Sequence, residues 1–316
     1  MDISAIIAEW GALYRAGMAG QKDLMTMLMQ GSETESLFPL LPTDSTILEK
    51  TSAKFSPVVQ SFQKKFTAKN GTEFTPRKVE LQWLKIDASE YPDELVKSWL
   101  GFLAGEQLDR KEWPFVKWWL QGLMKQQAED IEKDEIFYGV PAAIVDGVAS
   151  ASGTNMLGIR KQLNDGETAG DVVALAMGAV PADPVDFVEY IETMYYDIEE
   201  LLRNELDGFQ MSKTLAQRFK EGMREKYNMN YKQAGDLATI IDTNVPIRGL
   251  VSHAGSDKIW ATPKWNRVRG VKNGKNESVF RLYSIHREVF ATTDYHKGVG
   301  FWIPEYVVTN GQDTDE

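Results

Sequence analysis

The chain has 316 residues, 46 acidic side chains against 35 basic ones, a net charge of −11, and no cysteine. This balance argues against a dedicated nucleic-acid-binding domain, which needs a basic footprint to release phosphate counterions. The absence of thiols excludes disulfides, thiolate zinc sites and a cysteine nucleophile, and fits a reducing compartment.

Hydrophobic residues make up 43% of the chain, enough for one large or two modest folded domains. The start, Met1-Asp2-Ile3-Ser4, lacks the basic region and apolar core of a signal peptide. No run approaches the ~18 apolar residues of a membrane span. Residues 3–30 carry helical spacing (Ile3, Ile6, Ile7, Trp10, Leu13, Leu24, Leu28) interrupted by Gly11, Gly17 and Gly20, which predicts one weak helix or two short ones. Residues 31–57 lose that regularity. They read as a flexible lead-in or as an arm that packs on a neighbouring subunit, dispensable for the fold in either case.

Residues 58–88 look extended. Phe62 to Ala68 runs into Lys69-Asn70-Gly71-Thr72, and Asn-Gly is a strong hairpin signal. The return strand Lys78–Ile86 places Val79, Leu81 and Trp83 on one face and Lys78, Glu80 and Gln82 on the other. A lone two-stranded hairpin is marginal in water, so this one should dock on its own chain or on another.

Pro92, followed by Asp93 and Glu94, opens a helix with the stripe Leu95, Trp99, Phe102, Leu103. A second helix starts near Trp113-Pro114, with the stripe Val116, Leu120, Leu123, Met124, Gln127, Ile131. At helical spacing, Trp113, Trp118 and Trp119 read as core rather than as an aromatic ligand platform. Residues 138–183, rich in Gly, Ala, Ser and Asp, read as loops with short strands. Residues 184–206 are helical and end at Asp207-Gly208. Phe209–Met211 reads as a short buried strand, and Ser212 caps a helix to about Tyr227. From Ile240 onward β-type runs dominate, separately at Glu288–Thr292 and Val299–Val308, before an acidic tail over 310–316.

Chemistry-bearing motifs are missing. Gly270-Val-Lys-Asn-Gly274-Lys275-Asn276 is one residue short of a phosphate loop and lacks its hydroxyl. No Gly-x-Ser-x-Gly elbow occurs, and His253, His286 and His296 are too widely spaced for a metal site. The carboxylates Glu129, Asp130, Glu132, Asp134, Glu135, Glu199 and Glu200 read as solvated helix faces. No catalytic residue, cofactor or metal is expected. The cations Lys264, Arg267, Arg269, Lys272, Lys275 and Arg281 face nucleic acid, a neighbour's acidic helix, or plain solvent.

The run Ser256-Asp-Lys-Ile-Trp-Ala-Thr-Pro-Lys-Trp-Asn-Arg-Val-Arg-Gly-Val271, followed by Val299-Gly-Phe-Trp-Ile-Pro-Glu-Tyr-Val-Val-Thr309, resembles the closing strands of major capsid proteins of tailed phages, particularly those of Bacteroidetes-type hosts. The order of arm, hairpin, long helix, Gly-rich segment, helix, short strand, helix and β-rich end is similar to the Hong Kong 97-type capsid fold, an α+β architecture. The resemblance implies an N-terminal arm at 1–55, an extended loop at 56–90, a peripheral domain at 91–200 and 285–309 with its spine helix at 112–137, an axial domain at 201–284, and a tail at 310–316. It implies a structural protein that self-assembles through pentamers and hexamers into an icosahedral virion shell in the host cytoplasm, with portal and scaffolding partners and weak contact to packaged double-stranded DNA. Inter-subunit contacts are then expected at Trp10, Phe66, Lys69, Asn70, Gly71 and Trp83, and DNA-facing or inter-subunit cations at Arg267, Arg269, Lys272 and Lys275. Some relatives cross-link a lysine to an asparagine. Lys64, Lys65, Lys69 and Asn310 are the corresponding residue types here, with no activating acid evident. The rival readings are an encapsulin-type compartment shell, a soluble α+β enzyme with an unseen site, and a tryptophan-based glycan-binding module.

Overall fold

The computed structural model describes residues 6, 8, 32–55, 59–69, 71–105, 115–227, 238–272 and 281–314. A 3₁₀ turn at Glu35–Leu37 precedes strands β1 (Leu40–Thr43), β2 (Ile47–Phe55), β3 (Thr72–Glu80) and β4 (Gln82–Glu90). Helices α1 (Pro92–Gly105) and α2 (Phe115–Asp130) follow, and α2 runs into a π turn at Ile131–Glu135. Next come α3 (Ile159–Ala169), β5 (Val173–Ala174), α4 (Pro184–Asp197), α5 (Glu200–Arg203), β6 (Leu206–Ser212) and α6 (Lys213–Tyr227). The remainder is β7 (Ala238–Thr239), β8 (Pro246–Leu250), β9 (Trp260–Pro263), β10 (Arg267–Lys272), β11 (Arg281–Ile285), β12 (Glu288–Phe301) and β13 (Val308–Thr309).

Two sheets organise these elements. The first is built on β12, which pairs with β4 along one side and with β11 and then β10 along the other, while β1 lies parallel beyond β10. Its inner face, Leu84, Val289, Ala291 and Tyr295, packs on Trp99, Leu103, Phe115, Trp119, Leu120 and Met124 from the amphipathic stripes of α1 and α2. The second sheet has the order β5-β13-β9-β6-β8-β7. Helices α4 and α6 cover it with Phe187, Val188, Ile191, Leu215, Phe219 and Met223. Strand β6 is buried nearly throughout, as a strand paired on both sides requires. The Ser212 hydroxyl accepts from the Leu215 N–H at 3.3 Å, the cap expected at the start of α6. A third cluster, including Phe38, Ile131, Phe137, Leu163, Trp260 and Phe301, joins the two sheets.

Several expectations need correction. The supposed arm is integral from Thr34 onward: Thr34, Glu35 and Phe38 are buried, and residues 40–43 and 47–55 are strands. The hairpin exists, but β3 pairs with β2, from Ile47↔Glu80 to Phe55↔Thr72. Phe62 to Ala68 therefore lies in the long connection, not in a strand closed by Asn-Gly. Between β3 and β4 the chain breaks step at Leu81. Val79 and Leu81 stay buried, Trp83 turns outward at 70% exposure, and Leu84 takes the inner position.

Helix α3 occupies a region read as loops. Asp207 and Gly208 lie inside β6, where Gly208 adopts φ 131°, and the preceding helix has already ended by Arg203. One 14-residue strand, β12, replaces two expected runs. Helix α4, assigned with the peripheral portion, shares its core with α6, and β10, assigned as axial, belongs to the sheet of β12. The tail is not free: Asn310 is buried, and Asp313 lies 3.3 Å from Arg160.

Candidate assembly site and its buried anchor

The β2–β3 hairpin is exposed over most of its described residues. Its nine-residue strands extend for about 30 Å at ~3.3 Å per residue. The connecting loop shows Val59, Phe62 and Phe66 at 85%, 92% and 93% exposure, with Phe74 also exposed on β3. The loop is organised by its own hydrogen bonds. Lys69 Nζ donates to the Val59 carbonyl and Gln60 Nε2 to the Thr67 carbonyl, both at 2.8 Å, and Thr67 Oγ1 donates to Gln63 Oε1 at 3.1 Å. Residues 59–69 carry Lys64, Lys65 and Lys69 and no acid. A preformed basic knob bearing two phenylalanines in water has the character of an interaction surface. A second apolar loop exposes Ile144, Val145 and Val148.

Of the residues singled out from the sequence, Phe66, Lys69 and Gly71 lie exposed in the hairpin connection. Trp83 sits elsewhere, on the outer face of β4, stacked on His296 with ring centroids 5.4 Å apart. Trp10, Asn70 and Lys275 lie outside the described residues, and Lys272, at the end of β10, is half-buried. Arg267 and Arg269 require correction: neither faces nucleic acid or a neighbour. β10 is paired on both edges and covered on both faces, so both guanidinium groups turn into the subunit. Arg267 pairs with Asp207, which also takes Arg248 in two bonds at 2.7 and 3.2 Å; Arg269 lies 3.7 Å from Glu35. The Asn310 side chain is likewise spent internally, accepting from the Ile259 N–H and donating to the Asp257 carbonyl. It is not presented for cross-linking.

Sequence reasoning missed a buried polar anchor inside the subunit. The π turn at the end of α2 swings Glu132 and Glu135 inward, although both were read as solvated. Glu135 accepts from the N–H groups of Gly153, Asn155 and Met156 at 2.9–3.0 Å and from Asn155 Nδ2 at 2.6 Å, pinning the loop after α2. Glu132 accepts from Thr34 N–H at 3.0 Å and Thr34 Oγ1 at 2.7 Å. The chain of bonds continues with a fixed direction. The Trp260 indole, which can only donate, gives its N–H to His253 Nε2 at 2.8 Å. His253 Nδ1 therefore carries the hydrogen and donates to Ser252 Oγ at 2.9 Å; Ser252 donates to Thr34 Oγ1 at 2.6 Å, and Thr34 to Glu132. Burial holds the His253 pKa down to about 3, as this neutral tautomer demands. Beside it, Glu35 meets Lys297, with Nζ 2.8 and 2.9 Å from its two oxygens. Burial pushes Lys297 below the usual lysine range, and Glu35 opposes that shift. One signal was available: Ile131 and Ile136, both buried and five apart with a glutamate beside each, match a π turn rather than an α turn.

Among the described residues, no group of three or more His, Asp or Glu could hold a metal, and no helix is long and apolar enough to cross a membrane. A cleft of about 410 Å³ is lined by Lys161, Asn164, Asp165, Glu167, Thr168 and Thr314. Its charged groups are engaged with protein partners: Lys161 with Asp165, and Glu167 with the buried Lys258 at 2.9 Å.

No protein-family model and no curated protein matches the sequence. Solved structures do match. A satellite phage P4 procapsid that includes the size-determination protein aligns with TM-score 0.54 at 12% identity, covering 92% of this chain and 98% of that chain. Mycobacterium phage Ogopogo aligns with TM-score 0.50 at 10% identity, covering 88% and 91%. The holo encapsulin complex from Synechococcus elongatus aligns with TM-score 0.49 at 13% identity, covering 89% and 88%. At these identities the likeness is one of fold: over roughly nine-tenths of its length the chain has the mixed α+β fold of Hong Kong 97-like capsid structures.

Proposed function

We propose that this protein is a structural, non-enzymatic shell subunit: the major capsid protein of a tailed phage, assembling through pentamers and hexamers around double-stranded DNA. The observation that carries the reading is the pre-organised hairpin knob, with Phe62 and Phe66 more than nine-tenths exposed on a chain whose fold is that of capsid structures. A subunit that stayed alone would gain nothing by holding these rings in water, whereas a closed lattice buries them in neighbours. The net charge of −11 suits an inner wall that does not grip the genome. Affinity of the free subunit for DNA should be weak and lost by physiological salt, each phosphate contact steepening the log–log slope by about 0.9. Portal and scaffolding proteins are the further partners, and the host cytoplasm is the place of assembly. The likeness to phages of Bacteroidetes-type hosts rests on the C-terminal sequence runs alone.

Sedimentation and negative-stain imaging of the native chain and of Phe62→Ser/Phe66→Ser test assembly. Native protein should form closed shells or rings. The double variant should keep its circular dichroism and melting transition and lose particle yield. A native chain that remains a compact monomer at high concentration, or a double variant that builds normal shells, refutes the reading. Particles from the native source should protect genome-length DNA from nuclease; a stoichiometric protein cargo without DNA would replace the phage by a compartment shell.

A further inference from the structure

The hairpin meets its own subunit at two different kinds of contact. Leu48 and Val79, directly paired across β2 and β3, are buried and form a small cluster with Leu81 and Val268. They sit on a floor made by glycines of β10 and β12. A Cβ at Gly300 would lie 2.9 Å from both Val79 methyl carbons, one at Gly270 would lie 2.9 Å from Leu48 Cδ1, and one at Gly298 would lie 2.6 Å from the Glu80 carbonyl oxygen. The next pair outward on the same face is Lys50 and Arg77. Lys50 Nζ stands 5.3 Å above the Trp302 ring. Arg77 reaches Asp171 in two bonds at 2.8 and 3.1 Å and also Glu305, tying β3 to the corner after α3 and to the turn at Pro304–Tyr306. Further out, on the opposite face of β3, Phe74 is two-thirds exposed.

These contacts differ in what they constrain. Aliphatic side chains on a glycine floor are held by non-directional burial and can tilt without losing it. A bidentate guanidinium–carboxylate pair fixes direction. We propose that Arg77, held by Asp171 and Glu305, is a latch that sets the angle of the hairpin, which pivots on the floor formed by Gly270, Gly298 and Gly300. From Arg77 to the loop the arm measures about 20 Å, so a tilt of about 20° carries the tip through about 7 Å. The latch thereby decides where the Phe62/Phe66 knob points. It is a property of the single subunit and holds whatever the knob meets.

The absence of cysteine makes the test clean. In the full chain, spin labels at Lys64→Cys in the loop and Gln217→Cys on α6, diluted with unlabelled protein, report the tip-to-body distance by pulsed electron resonance. The native latch should give one narrow distribution. Arg77→Gln, and separately the double variant Asp171→Asn/Glu305→Gln, should lose that single peak and spread it over several ångströms, with circular dichroism unchanged. Lys78→Gln, on the opposite face, should leave it intact. Narrow native distributions in both latch variants overturn the proposal. So does loss of the folded state in both, since a latch must be separable from the fold. Shell formation is not read in this experiment, so its outcome stands apart from the assembly tests.

Discussion

Replacing Glu35 by alanine tests whether the segment read as a detachable arm is in fact a keystone. Glu35 is 1% exposed and is the carboxylate facing Lys297, itself 2% exposed, with Arg269 at 3.7 Å. Its removal strands a lysine ammonium that water cannot reach. Breaking a buried pair in this way costs about 3–5 kcal/mol. For a chain of 316 residues that corresponds to a fall in Tm of roughly 5–8 °C. The double variant Glu35→Leu/Lys297→Met removes both charges of the pair at similar volume and should recover much of the loss, because an apolar replacement of a buried pair is often neutral, with the shortfall falling on Arg269, which keeps its charge without Glu35. Differential scanning calorimetry and urea titration of the native chain, Glu35→Leu, Lys297→Met and the double would give the coupling directly. If Glu35→Ala melts within about 2 °C of the native protein, or if the double is no better than the sum of the singles, the buried-charge reasoning is wrong. The same logic separates two truncations. Removing residues 1–31 spares the anchor, whereas removing 1–45 deletes Thr34, Glu35 and Phe38 and should abolish the cooperative transition.

Two further outcomes follow from the anchor. His253 is held neutral, with its pKa lowered to about 3 from an ordinary 6.5. Between these values the unfolded imidazole takes up a proton and the folded one does not, so stability is full above about 6.5 and falls as the pH drops, by roughly 5 kcal/mol in all. His253→Gln should flatten the urea midpoint between pH 6.5 and 4.5, and a profile superimposable on the native one would remove His253 from the explanation. Glu135→Ala leaves the N–H groups of Gly153, Asn155 and Met156 without their acceptor, each worth about 1–3 kcal/mol when buried. Hydrogen exchange should accelerate at 153–156 while α6 keeps its protection, and unchanged exchange there would show the carboxylate to be dispensable.

The helices α1, α2, α4 and α6 were legible because their signal is local. A 3.6-residue stripe and a cap such as Ser212 need no knowledge of what packs against them. The strands near 209, 247 and 268 announced themselves through β-type composition, and the order of elements pointed to the fold. Tertiary structure decided what depends on distant partners. Helix α3 directs only Ile159, Leu163 and Asn164 fully inward, too little for its periodicity to be read. Trp83 faces out because the chain breaks step at Leu81, and a one-residue slip in a strand exchanges its two faces. Glu35, Glu132, Glu135, Arg267 and Arg269 look like surface charges in any window of sequence. Glu35 finds Lys297 262 residues away, and Thr34 finds Glu132 98 residues away. A charge is buried only where the fold delivers its counter-charge, and that delivery is long-range, beyond the reach of spacing or composition.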